Sequence, residues 1–268
     1  MIRVLKLSVH PSIAAHPYVD QWLEFTADER IIVHTGKVDI GQRISTALAI
    51  IAAEELDVDY HRIDVHRTRT GLDPDEGFTA GSMSMQHSGS AIRLASRTAR
   101  RYLIELAADV LGDAPGTLVV DDGIVRCPAT GAQVSYWSLL SETNLNIRID
   151  ETAPPKRSAD YTWIGQTVTP KGLADIVQGK TVFVHDLQLP RMLYGRIVRP
   201  PHYSARIDTL DSTVIEHLKN SGVVTVQDGS FLAVAATDEY MAAKAVARLS
   251  SAVQWDLGNG IPDKDVFS

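Results

Sequence analysis

The apolar positions change period several times along the chain, and each change predicts an element. Leu23 to Thr26 and Ile31 to His34 are short extended runs on either side of the polar turn Asp28-Glu29-Arg30, which predicts two strands. ISTALAIIAAEEL is rich in Ala, Leu and Glu and apolar all round, so it predicts a buried helix from about Gln42 to Leu56. Ile63 and Val65 alternate with polar neighbours as a strand does. Residues 69–90 then break every period, with four glycines among small polar or flexible residues. Long loops of this kind inside a compact domain tend to be functional. A second helix is predicted from about Ser90 to Leu111, stopped by Gly112. TLVVDDGIVRCPATGAQVSYWSLL reads as two short hairpins and a helical turn, with Asp122-Gly123 and Thr130-Gly131 as turn signals.

Residues 148–160, RIDETAPPKRSAD, are polar with two prolines and predict a linker. Beyond it the strand-like runs TVFVHDL, MLYGRIVRPP, VVTVQDG and FLAVAAT alternate with turns. DEYMAAKAVARLSSAV predicts a helix, and Val253 to Asp256 a last strand. The expectation is an α+β chain with a first domain over 1–147, the linker, a second domain over 161–258 and a C-terminal tail over 259–268. Its 268 residues suffice for two cores.

Composition narrows the function classes. Apolar residues make up 44 % and charged residues 22 %, as in ordinary globular proteins. The net charge of −7 and the lack of a basic block argue against a nucleic-acid or anionic-membrane surface. Cys127 is the one cysteine, which excludes an intrachain disulfide and a four-cysteine iron–sulfur or zinc site. No apolar run approaches the roughly 18–20 residues of a membrane span. The opening residues, with Arg3 and Lys6, have no signal-peptide core, so the expected location is the cytoplasm.

Two segments carry candidate chemistry: Gly41-Gln42 at a helix start, and the loop Thr79-Ala80-Gly81-Ser82-Met83-Ser84. A glycine before a helix lets backbone approach a flat ligand and leaves the helix N–H groups free. Their partial positive charge suits phosphate. Gln42 offers both a donor and an acceptor, which suits a pterin edge. The loop adds amides and hydroxyls that can cradle a pyrophosphate without any lysine. Read as an extended segment, it places Ser82 and Ser84 on one face and the methionines on the other.

Other groups read as structural. The nine histidines lack ligand spacing, with His61 and His66 expected at a strand edge and His87 beside the serine loop. His185-Asp186 is expected at a strand end. Glu54 and Glu55 are expected to be solvated or capping groups, and Cys127 a plain thiol in a turn. Arg196, Arg199 and Arg206 are expected at the surface or a subunit interface. Ser82 lacks a nucleophile elbow.

TGKVDIGQRISTALAIIAAEELDVD followed by TAGSMSMQHSGSAIRLASRTAR resembles the molybdopterin-binding subunits of the xanthine dehydrogenase and aldehyde oxidase family. Asp39-Ile40-Gly41-Gln42 matches the family's glycine–glutamine–glycine start, with Arg43 where a second glycine usually stands. Residues 79–84 match its small-residue loop. VQGKTVFVHDLQLPRMLYGRIVRPPHYSARIDTLD resembles the opening of the family's a/b hammerhead domain. The order of the two parts is that of the isoquinoline oxidoreductase and nicotinate dehydrogenase type.

The resemblance implies a pterin-binding α/β segment of the molybdenum domain followed by a hammerhead domain. It implies an oxidoreductase, a molybdenum hydroxylase oxidising an N-heteroaromatic compound or an aldehyde with water as oxygen source. The implied cofactor is molybdenum–molybdopterin in its cytosine dinucleotide form, bound by Gly41, Gln42, Arg43 and residues 79–84. No segment matches the family's glycine-rich loop or its glutamate base, so no catalytic or metal-ligating residue is expected here. A larger molybdenum-binding subunit is expected to carry them, leaving this chain inactive alone. A small subunit with [2Fe-2S] clusters takes the electrons, and a flavin or cytochrome subunit is a further expected partner. The alternative from another class is a non-catalytic cofactor-binding, assembly or interaction subunit.

Overall fold

After a short helix, α1 (Pro11–Ala15), the chain forms β1 (Leu23–Phe25) and β2 (Ile31–Val33), paired antiparallel. The structure is a computed structural model that describes residues 11–180 and 183–259. It divides into two units, Met1–Phe183 and Val184–Ser268.

In the first unit the Ala-rich run forms α2 (Ile44–Leu56), and β3 (Ile63–Val65) follows it parallel to β2 with Ile31 opposite Ile63. A parallel pair needs a crossover, and α2 provides it. Leu48, Ala49, Ala52, Ala53 and Leu56 are fully buried. A single π-helical turn over Met85–Gly89 leads into α3 (Ser90–Leu111), which packs along α2. Ile92, Ala95, Ala99, Leu103 and Ala107 recur at helical spacing, and all are buried. β4 (Val119–Asp121), β5 (Ile124–Arg126) and β6 (Gln133–Ser135) make one antiparallel meander, closed by α4 (Tyr136–Leu140). Ser135 caps α4 by accepting from the Ser138 N–H. Cys127, directly after β5, is buried and donates to Asp113 at 2.9 Å.

Residues 148–160 do not form the linker that their composition predicts. They pack on the first unit, and the division between units falls at Phe183/Val184 instead. α3 holds Asp150 through the Thr98 hydroxyl and Arg101, and α2 holds the residues that follow. Glu54 and Glu55, expected in solvent, are buried to 0 % and 2 % exposure. The Glu54 carboxylate accepts from the amides of Thr162, Trp163 and Ile164 at 2.8–3.1 Å and from the Lys156 ammonium at 2.7 Å. The Glu55 carboxylate accepts from Arg93 at 2.5 Å, and Arg93 also donates to the Tyr161 hydroxyl. Lys171 lies over the Tyr60 ring and donates to the Tyr60 carbonyl at 3.1 Å. A short helix, α5 (Leu173–Val177), ends this stretch.

The second unit contains β7 (Tyr194–Val198), β8 (Arg206–Leu210), α6 (Ser212–Asn220), β9 (Val224–Asp228), β10 (Phe231–Ala236), α7 (Glu239–Ser250) and β11 (Val253–Asp256). β10 is central in an antiparallel sheet of order β7-β10-β9, and β8 pairs with β11. Leu218, Leu232, Val234 and Leu249 form its core. Two elements escaped the sequence pattern. β8 is half-exposed and offers little apolar contrast. α6 is short, although Asp211 caps it at the Thr213 N–H. The strand expected in TVFVHDL is absent at Val184–Asp186, a 3₁₀ turn, so His185-Asp186 sits in a turn and not at a strand end. Thr181 and Val182 lie outside the described residues.

Removing the carboxylate of Glu54 leaves three buried amides and an ammonium without their acceptor. Glu54→Ala is expected to lower the unfolding free energy by about 3 kcal/mol, measured by urea titration. Burial pushes the Glu54 pKa up, but its Lys156 and amide hydrogen bonds outweigh this and hold it below the usual carboxylate value. Its contribution is therefore present above the unfolded value of about 4.3 and lost as pH falls through the lower folded value. The same titration repeated between pH 6 and pH 3 should show that loss in the wild type and a smaller one in Glu54→Ala.

Candidate functional site

The loop over 69–84 is strapped to residues 34–38 in sequence order. Asp73 accepts from the Arg69 N–H at 2.6 Å and lies 2.9 Å from the Nδ1 of buried His34. Glu76 is buried, and its Oε2 accepts from the Thr35 hydroxyl, the Gly36 N–H and the Ser88 hydroxyl at 2.7–2.8 Å. Its Oε1 is buried with no hydrogen-bond partner among the described residues. Lys37 is also buried, and its ammonium donates to the carbonyls of Glu76 and Phe78 at 2.6 and 2.8 Å, with that of Gly77 at 3.5 Å. The Thr79 hydroxyl accepts from the Val38 N–H at 2.9 Å. Backbone approach is so close that a Cβ on Gly36 would stand 2.2 Å from the Pro74 carbonyl oxygen. The two segments singled out in the sequence are thus brought together: residue 38 leads into the Gly41-Gln42 turn, and residue 79 opens the serine loop.

The Gly41-Gln42-Arg43 turn differs from expectation in three ways. First, α2 starts at Ile44, because Gly41 and Arg43 both have positive φ, +105° and +64°. Arg43, where the family resemblance leads to glycine, therefore holds a left-handed conformation that costs an L-residue roughly 1 kcal/mol. Second, the amides before α2 are not free. The Asp39 carboxylate accepts from the Gly41 and Arg43 N–H groups at 3.1 and 3.2 Å and from the Ser45 hydroxyl at 2.6 Å. Burial pushes the Asp39 pKa up, yet these donors bring it below its ordinary value, so a negative charge already sits at the positive end of α2. Third, the Gln42 side chain closes its own turn. Its Oε1 accepts from the Ile40 N–H at 2.6 Å and its Nε2 donates to the Val38 carbonyl at 2.9 Å. One N–H and one lone pair of the exposed amide stay open.

The serine loop is not an extended strand with alternating faces. Ser82 turns left-handed at φ +57°, directly after Gly81, and Ser84 already has helical angles as the cap of the π turn. The two hydroxyls therefore do not share one face by alternation. Residues 80–82 are exposed, and Thr79, Met83 and Ser84 half-exposed. His87 lies within the π turn, not in the loop. The backbone N–H groups of Phe78, Thr79, Ala80, Gly81 and Ser82 have no acceptor among the described residues. Phe78 is 93 % exposed and Ile40 68 %. A surface with open amides and apolar side chains can receive a ligand that is anionic at one end and flat at the other.

Lys37, Glu76, Thr35 and Ser88 escaped the sequence reading, and Asp39 entered it only as part of the motif match. Asp39-x-Gly41-x-Arg43-x-Ser45 carried a usable signal, an acidic side chain two and four residues before amides it can accept from. Lys37 and Glu76 carried none, since a charged residue in a loop ordinarily reads as solvated. His61 is exposed in the 3₁₀ turn Tyr60–Arg62, and the His66 ring meets His34 edge-on. Among the described residues no three His, Cys, Asp or Glu side chains converge as a metal site, and no helix is long and apolar enough to cross a membrane.

The family profile described as "Molybdopterin cofactor-binding domain" matches residues 6–172. This chain belongs to that family. It is 33 % identical over 246 residues to a nicotinate dehydrogenase subunit of Pseudomonas putida, an alignment that covers 88 % of the chain and 20 % of the relative. It is 28 % identical over 206 residues to a membrane-bound aldehyde dehydrogenase of Gluconacetobacter polyoxogenes, named with pyrroloquinoline quinone, covering 74 % and 26 %. It is 25 % identical over 298 residues to the beta subunit of isoquinoline 1-oxidoreductase from Brevundimonas diminuta, covering 96 % and 37 %. The chain thus spans from a fifth to somewhat over a third of the length of these relatives. The profile ends close to where the packed 148–171 stretch ends, so both candidate segments fall inside it.

Replacing Asp39 with Ala frees two amides and a hydroxyl at the start of α2. The expected cost is about 1 kcal/mol in urea titration, with hydrogen exchange accelerated over residues 41–47. Gly36→Ala cannot be accommodated without moving the Pro74 backbone, and should destabilise the chain by more than the Asp39 change does.

Proposed function

We propose that this chain is the molybdopterin-binding part of a molybdenum hydroxylase that oxidises an N-heteroaromatic compound or an aldehyde. The oxygen comes from water and the electrons pass to an iron–sulfur subunit. The observation that carries this reading is the pairing of the Gln42 turn with a loop whose amides are open, inside the segment matched by the family profile. The bound molybdenum–pterin group, in its cytosine dinucleotide form, supplies the two-electron oxidation.

The share of this chain is to bind and orient. Gly41 and Arg43 shape the turn, and Gln42 turns its remaining N–H and lone pair to the pterin edge. Thr79, Ala80, Gly81, Ser82, Met83 and Ser84 wrap the phosphates, by amides first and hydroxyls second. Asp39 repels phosphate from the start of α2, which steers the anionic end of the ligand toward the loop. The general base and the glycine-rich loop come from a larger molybdenum-binding partner, and [2Fe-2S] clusters from a small one. A flavin or cytochrome subunit completes the complex. The second unit serves as the hammerhead domain, with β7-β10-β9 and its two helices as the docking scaffold. The complex works in the cytoplasm.

The test is purification of the chain with its co-expressed partners. The complex is expected to hold molybdenum and a pterin dinucleotide in fixed ratio to this chain, and the chain alone to show no dye-linked oxidation of nicotinate, isoquinoline or an aldehyde. Gln42→Ala should lower the molybdenum content several-fold with folding intact. A complex free of molybdenum would leave the assembly or interaction reading in its place, and activity of the lone chain would overturn the division of labour.

A further inference from the structure

We propose that Lys37 is the positioning residue of the phosphate loop, acting from beneath it and never touching the ligand. The proposal rests on the reading of this chain as a molybdopterin-binding part and assigns the anion-binding groups within it. Lys37 is 3 % exposed, and no carboxylate among the described residues lies within ion-pair distance of its ammonium. Its acceptors are three successive carbonyls, those of Glu76, Gly77 and Phe78. No peptide here is cis, and in a trans peptide the N–H points opposite to the C=O of the same unit. The carbonyls of Gly77 and Phe78 face Lys37, so the N–H groups of Phe78 and Thr79 face away from it. Neither N–H has an acceptor among the described residues. The Gly77 N–H is taken by Asp75 at 2.9 Å, which ends the row on that side.

The arrangement polarises the loop. A buried ammonium on the carbonyl side aligns the peptide dipoles, so their positive ends are presented on the side away from Lys37. The charge is held where water screens it poorly, and its field reaches the ligand through two peptide units. The Glu76 carboxylate, on a residue whose own carbonyl accepts from Lys37, turns to Thr35, Gly36 and Ser88 instead. At the other half of the site the Asp39 carboxylate occupies the helix start. The pyrophosphate of the dinucleotide is therefore assigned to the amides of Phe78 and Thr79, and the hydroxyls of Ser82 and Ser84 are secondary.

The test uses the full chain and inorganic pyrophosphate as probe. In a titration followed by amide NMR, the Phe78 and Thr79 resonances are expected to shift in a saturable way. If they stay still while pyrophosphate moves other residues, or if nothing binds, the proposal falls. Lys37→Met should weaken pyrophosphate binding on the order of ten-fold or more, while Lys37→Arg, which keeps the charge, should restore most of it. The thermal midpoint is read alongside each variant. Equal binding by a folded Lys37→Met chain overturns the proposal. Should Lys37→Met fail to fold, the wild-type amide shifts and the Arg variant still decide it. Molybdenum content of the purified complex is scored separately. Pyrophosphate binding through these amides without any molybdopterin in the complex would sink the functional reading alone. A complex loaded with molybdopterin whose amides ignore pyrophosphate would sink the Lys37 assignment alone.

Discussion

Glu54 has no access to solvent, and a carboxylate in that position must find its hydrogen bonds in protein or lose its charge. It finds four, three from consecutive backbone amides at residues 162–164 and one from Lys156. That set of bonds fastens the polar, proline-containing stretch after residue 148 to the last turn of α2. Lys156 in turn reaches Asp57, and Asp57 accepts from Arg100 on α3. One carboxylate thereby organises the C-terminal end of α2, the neighbouring face of α3 and the stretch that covers both.

The opposite end of α2 is governed by the same physics with opposite consequences. There too a carboxylate, Asp39, collects backbone amides, but it lies at an exposed turn and leaves its neighbour Gln42 reachable. A helix anchored at one end by a buried network and opened at the other by a left-handed turn is a rigid mount with a working tip. The loop of residues 76–79 is pinned beside that tip through Lys37, Glu76 and Thr79. Rigid support beneath an exposed loop reduces the ordering cost of ligand capture, because little backbone remains to be fixed.

Buried charge of this kind costs desolvation that good geometry only partly offsets. Lys37 and Glu76 are both buried without pairing to each other, and Glu76 keeps one oxygen without a partner among the described residues. Such groups are poor devices for stability, and their position under the ligand-facing loop gives them a reason in positioning. Arg43 adds a further strained residue at the same place. Buried charge thus stands at both ends of α2, in the Glu54 network and beneath the loop, while the core of the second unit is apolar packing.

The sequence by itself determined the elements whose periods are long or sharply bounded: α2 and α3 from helical spacing, β1 to β3 and the meander from alternation and turn residues, and α7 with the strands about it. It also singled out the two segments proposed as the site, through their resemblance to the family's motifs more than through residue type alone. What it could not determine is how charge is distributed between solvent and interior. Glu54, Glu55, Lys37 and Glu76 look like surface residues until the chain folds, since burial of a charge depends on partners 12 to 110 residues away. For the same reason the stretch at 148–160 reads as a linker by composition and becomes part of the first unit through buried Ile149 and Ala153, the bonds of Asp150 to Thr98 and Arg101, and the bond of Lys156 to Glu54. The extended serine loop failed on the backbone angles of Gly81 and Ser82, which residue type alone does not fix. Local pattern specifies elements, and the satisfaction of buried polar groups, a property of the assembled fold, decides which loops those elements hold and how they present them.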